Sequence, residues 1–128
     1  STGVVGDSSA GFILPNGAMR SPDASWVRRT RLAALSEEQR QRFLPLCPDF
    51  VIELRSPTDA LSTLQQKMQE YIANGAQLGW LIDPQRRQVH IYQPEQEALT
   101  LDHPASLSGD PILPGFVLDL KLIWEPPW

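Results

Sequence analysis

The 128-residue chain is predicted to fold as one mixed α/β domain: a hairpin, a strand, a crossover helix, a strand and a closing hairpin. Three observations carry that prediction. Short apolar runs bounded by Pro, Gly, Asn and Asp recur along the chain. One of them, residues 50–54, passes directly into a segment of helical periodicity. The runs after that segment are strand-like again, and a parallel return after a helix makes the sheet mixed.

Each element has a local reason. Val4 and Val5 read as strand-like, with no helix or cap ahead of them. Gly11-Phe12-Ile13-Leu14 leads into Pro15-Asn16-Gly17, a turn whose Asn-Gly pair tolerates positive φ. Residues 20–27 then return as the second strand of a hairpin. Residues 32–43 are helix-like and polar, with Ser36 and Gln39 spaced as a capping box, an excursion from the sheet. In the 50–54 strand, a period of two puts Asp49, Val51, Glu53 and Arg55 on one face and Phe50, Ile52 and Leu54 on the other. Thr58 or Asp59 can cap a helix over 60–74, which Gly75 ends. Leu61, Leu64, Met68 and Ile72 form its apolar stripe. Residues 79–83 and 88–92 are strands joined by a turn at Asp83-Pro84-Gln85-Arg86. Short β segments near 98–101 and 116–120 complete the chain.

Composition bounds the function. Hydrophobic residues make up 41% and charged residues 20%, which suits a globular domain with a real core. No apolar run is long enough to cross a bilayer, so no membrane role is expected. Cys47 is the only cysteine, which excludes an intrachain disulfide and a thiolate metal cluster and points to a reducing cytoplasm. A net charge of −4 argues against a passive nucleic-acid binder. It does not argue against a nuclease, because a carboxylate-lined metal site is negative until the metal binds.

Phosphodiester hydrolysis needs an attacking water, a stabilised phosphate and a stabilised leaving oxygen. A hard cation held by carboxylates serves all three. Asp23 and Glu53 lie on different strands, and only a sheet that pairs those strands unites them. Lys67, on the following helix at the edge of the apolar stripe, can point back toward the Glu53 strand and orient water or offset phosphate charge. Each residue also has a plainer reading. Asp23 after Pro22 is by itself more often a turn residue. Glu53 in an apolar strand is costly unless paired, with Arg55 or Lys67 as the simplest partners. Lys67 can be a surface residue with Glu70 as helix partner, and Tyr71 is more often core. Arg28, Arg29 and Arg31 form a basic cluster that is usually a solvated loop and otherwise a phosphate contact. His90 and His103 lack metal-ligand spacing. Trp80, Trp124 and Trp128 read as core or tail packing.

Five stretches, SPDASWV, PDFVIELRSPTD, KMQEYIANG, GWLIDPQRRQVHIYQP and DPILPGF, occur in an order that resembles the Uma-two family. Fold and motif assign that family to the restriction endonucleases of the PD-(D/E)XK nuclease superfamily. The likeness runs from Gly3 to Trp124. It implies a four-stranded mixed core sheet with flanking helices and added hairpins, a divalent metal (Mg²⁺ or Mn²⁺) and DNA as substrate. It implies that Asp23 and Glu53 are metal-binding carboxylates, with the carbonyl of Leu54 as a further ligand. The usual nuclease lysine stands two residues after the glutamate, where this chain has Arg55. Arg stays charged and handles protons poorly, so Lys67 is the favoured functional cation and Arg55 a phosphate contact or ion-pair partner. The family also has helices and a strand ahead of Val4-Val5, so an N-terminal piece is expected to be missing here.

The leading expectation is therefore a metal-dependent DNA endonuclease, acting as a homodimer because double-strand cleavage commonly uses two symmetry-related sites. Residues 116–120, Trp124 and Trp128 are the interface candidates. The alternatives are a catalytically inactive, dimeric DNA- or protein-binding module and a structural domain in which Glu53 merely pairs with Arg55.

Overall fold

A computed structural model describes residues 2–126. Its centre is a six-stranded sheet in the order β1-β4-β5-β6-β7-β8. The strands are β1 (Gly3–Asp7), β4 (Ala24–Arg28), β5 (Phe50–Leu54), β6 (Leu78–Asp83), β7 (Gln88–Tyr92) and β8 (Leu99–Asp102). Among the described residues of this sheet only β5 and β6 run parallel, and α3 (Leu61–Ala73) is the crossover between them. All other neighbours are antiparallel. The mixed sheet and its crossover helix agree with the sequence reading. The sheet has two strands more than the expected four-stranded core.

Both faces of the sheet are covered, and strand alternation separates them. Val27, Val51, Leu81 and Tyr92 point to one side, where they pack with Leu64, Met68 and Tyr71 of α3. Trp26, Phe50, Leu78, Trp80, Ile82 and Val89 point to the other, against Leu107, Leu120 and Trp124 of the C-terminal segment. There Trp80 stacks on Phe116 at 6.0 Å between ring centroids and meets Phe50 edge-on at 4.8 Å. Full burial of an aliphatic side chain such as Leu81 contributes about 1.5–3 kcal/mol.

Several local expectations are refined. The 20–27 strand is interrupted at residues 21–23: β2 (Phe12–Ile13) and β3 (Met19–Arg20) close the Asn-Gly hairpin, and β4 begins afterwards on the main sheet. The helix expected over 32–43 is two short ones, α1 (Arg29–Ala33) and α2 (Glu37–Arg40). Ser36 and Gln39 do form the capping box, and that cap starts a new helix at Glu37. Ala60 occupies the cap of α3 with no side-chain cap bond, because the Asp59 carboxylate instead accepts from the Ser56 amide and hydroxyl at 3.0 and 2.8 Å. Gly75 ends α3 with φ of +119°.

The C-terminal segment contains β9 (Ser106–Ser108), β10 (Val117–Asp119) and α4 (Lys121–Trp124). β9 and α4 were not foreseen. Trp124 and Leu120 are buried, and Trp124 Nε1 donates to the Pro104 carbonyl at 2.7 Å. They are core residues rather than interface material, while Val117 and part of Phe116 remain exposed. Trp128 lies outside the described residues.

Candidate active site

The antiparallel register of β4 and β5 sets Ala24 opposite Ile52, so Asp23 falls opposite Glu53. The Asp23 amide donates to Glu53 Oε1 at 3.3 Å, and Asp23 Oδ2 accepts from the Leu54 amide at 2.7 Å. The turn reading of Asp23 is thereby replaced: its carboxylate bonds a strand 31 residues away in sequence. Asp23 is exposed, whereas Glu53 retains only 5% exposure.

Glu53 shares the α3 face of β5 with Val51, as the period of two requires. α3 presents two groups to it, four residues apart and so on one side of the helix. Tyr71, fully buried, donates its hydroxyl to Glu53 Oε2 at 3.0 Å. Lys67 Nζ lies 3.8 Å from the same oxygen, with its side chain 34% exposed. Burial pushes the Glu53 pKa upward; Lys67 and the Tyr71 hydrogen bond oppose that shift, and the charge of Asp23 adds to it. The Tyr71 phenol is pushed well above its ordinary range by burial and then by the charge of Glu53.

The remaining predicted residues go elsewhere. Arg55 donates to Asp83 Oδ2 at 2.9 Å and to the Asp59 carbonyl at 3.2 Å, so of the two partners considered for Glu53 it is Lys67 that sits beside it. Glu70, considered as a partner of Lys67, is taken by Arg20 at 2.6 Å and by Asn16 at 3.1 Å. Arg28 and Arg29 stand at the opposite end of β4 from Asp23, about 17 Å away at strand rise. The Arg28 guanidinium lies over the Trp26 ring, and its amide donates to the buried Asp49, which also pairs with Arg31 at 3.0 Å. The basic cluster is thus not brought to the carboxylates.

Tyr71 is the site neighbour that sequence reasoning assigned only to the core. The usable signal was its spacing of four from Lys67 on a helix that follows the Glu53 strand.

The donor chemistry suits a hard divalent cation. Two carboxylates stand side by side, and the hydrogen bonds above reach Asp23 Oδ2 and both oxygens of Glu53, leaving lone pairs on each carboxylate for a cation. Among the described residues no group of three or more His, Cys, Asp or Glu side chains converges. A pair of carboxylates completed by solvent and substrate oxygens is the usual way proteins hold Mg²⁺.

A mixed sheet with one parallel pair, a crossover helix, and carboxylates at the end of the strand feeding that helix define a nuclease-like α/β fold. A family model described as "Putative restriction endonuclease" matches residues 1–121, and the chain belongs to that family, Uma2. Among solved structures, one described as a "putative nuclease belonging to DUF820" from Anabaena variabilis matches with a TM-score of 0.78 and 23% identity. The match covers 96% of this chain and 68% of that one, and the likeness is one of fold. No curated protein matches the chain. Among the described residues no helix is long and apolar enough to cross a membrane.

Proposed function

We propose that the protein is a metal-dependent endodeoxyribonuclease that hydrolyses DNA phosphodiester bonds. The observation that carries this reading is the contact of Asp23 with Glu53 across the β4–β5 seam, with Lys67 beside Glu53. Asp23, Glu53 and the Leu54 carbonyl would hold Mg²⁺ or Mn²⁺, which when bound supplies Lewis acidity to water and to the scissile phosphate.

The chain's own groups have separable tasks. Asp23 and Glu53 give the site its negative charge and keep phosphate out until a cation is present. Lys67, partly exposed, offsets charge on the phosphate and orients the attacking water. Arg55 is assigned to the scaffold through Asp83. Arg28 and Arg29 serve backbone phosphates away from the scissile one. A homodimer placing two such sites on one duplex, in the cytoplasm, completes the reading.

Incubation of the full chain with plasmid DNA and Mg²⁺ or Mn²⁺ tests it. Cleavage is expected, with Asp23→Ala and Glu53→Ala each lowering the rate by about 10²-fold or more. Unchanged cleavage in both variants would sink the site assignment. One observation favours a second reading, a catalytically inactive binding module: the usual lysine position holds Arg55, and that residue is committed to Asp83. On that reading DNA or protein binding persists in Glu53→Ala and no metal-dependent cleavage accompanies it.

A further inference from the structure

Glu53 has two oxygens, and they meet different surroundings. Oε1 accepts a hydrogen bond from the Asp23 amide at 3.3 Å. Oε2 receives the Tyr71 hydroxyl at 3.0 Å and lies 3.8 Å from Lys67. A free glutamate side chain rotates among staggered wells and spins its carboxylate. Here the Asp23 amide holds Oε1, and a shorter bond fixes the rotation from behind at Oε2, from a phenol that is itself fully buried among the residues that pack α3 on the sheet.

We propose that Tyr71 is the positioning residue of this site: its hydroxyl holds Glu53 so that Oε1 is the oxygen offered, beside Asp23, to a divalent cation. The inference rests on the metal-dependent reading above and adds to it the residue that selects the liganding oxygen. Tyr71 touches neither cation nor substrate. It acts through Glu53, as groups behind a metal ligand do, and the loss of such a group typically lowers metal affinity by about 10–100-fold. Its four-residue spacing from Lys67 has a consequence too. Rotation of the Glu53 carboxylate would withdraw Oε2 from Lys67, so Tyr71 also keeps the lysine at its place on the site's edge.

The test separates positioning from packing. Mn²⁺ is titrated into the full-length wild type, Tyr71→Phe, Glu53→Gln and Met68→Leu, with thermal unfolding and Mn²⁺ EPR as readouts. Tyr71→Phe keeps the ring, and its half-saturating Mn²⁺ concentration is expected to rise about tenfold or more, with the metal-free Tm lowered no more than in the packing control Met68→Leu. Met68→Leu is expected to bind Mn²⁺ as the wild type does. EPR reads the bound ion well below the unfolding temperature, so a loss of Tm in Tyr71→Phe does not obscure the affinity. If Tyr71→Phe binds Mn²⁺ at wild-type concentrations while Glu53→Gln does not, the positioning role is overturned and the metal site stands. If the wild type itself does not bind Mn²⁺, the metal-dependent reading falls and the inference falls with it.

Discussion

Arg55 Nη1 donates to Asp83 Oδ2 at 2.9 Å, and this pair ties the end of β5 to the end of β6 at the only parallel seam of the main sheet. The Arg55 amide also bonds the Ile82 carbonyl at 2.9 Å, while Asp83 Oδ1 accepts from the amides of Gln85 and Arg86 in the following turn. Asp83 is fully buried and the Arg55 side chain is 15% exposed. Arg55 is thus part of the frame that holds the β5–α3 junction in place.

Removing one member of that pair leaves the other buried without its counter-charge, which costs about 3–5 kcal/mol in comparable pairs. Asp83→Ala is therefore expected to lower stability by that amount, read as a shifted urea midpoint at unchanged slope. A loss under about 1 kcal/mol, as for an exposed pair, would show that solvent reaches Arg55 freely.

On the proposed nuclease reading Lys67 and Arg55 are the two candidates for the functional cation, and their surroundings separate them. Lys67→Ala is expected to lower DNA cleavage by about 10²–10³-fold with little change in Tm. Adding Arg55→Lys to that variant is expected not to restore cleavage, because a shorter side chain at position 55 still faces Asp83. Recovery in the double variant would move the catalytic cation back to the strand.

Much of this arrangement was legible in the sequence, for identifiable reasons. The period of two in 50–54 placed Glu53 with Val51, and both do face α3. The apolar stripe and Gly75 located that helix to within a residue or so. The Asn-Gly hairpin and the Asp83-Pro84 turn announced themselves through backbone chemistry. What could not be read depends on distant partners. Arg55 and Asp83 are 28 residues apart, and nothing local marks them as a pair. Asp23 resembles any turn aspartate until the β4–β5 register sets it opposite Glu53. Trp124 looked available for an interface because a short terminal segment gives no periodicity by which to judge its burial.

Glu53 also makes the metal-free protein sensitive to pH. Its folded pKa lies above the ordinary 4.5, mainly through burial. Between those two values the folded protein holds a proton that the unfolded chain has released, so stability falls as pH rises through that window. Above it, the folded state carries the whole cost of the buried charge. Glu53→Gln is accordingly expected to have a higher metal-free Tm than the wild type at neutral pH, with the gap shrinking as pH falls toward 4.5. A lower Tm for Glu53→Gln at neutral pH would mean that the contacts from Lys67 and Tyr71 outweigh burial.

The placement of Lys67 and Tyr71 finally depends on how closely α3 packs over β6. Gly79 lies on β6 beneath α3, and a Cβ there would come 2.7 Å from Met68 Cε and 3.3 Å from Val51 Cγ2. The first contact is closer than real side chains adopt, but it is with the flexible end of a methionine. Gly79→Ala is therefore expected to destabilise by about 1–3 kcal/mol through overpacking. Part of the strain should be relieved by Met68→Leu, which removes the terminal methyl, so the double variant should be more stable than the sum of the two single effects. Because Met68 lies between Lys67 and Tyr71 on α3, Gly79→Ala should also weaken Mn²⁺ binding, and the same second substitution should partly restore it. Strict additivity in the urea midpoints would show that α3 rides over the new methyl as a rigid unit rather than through Met68.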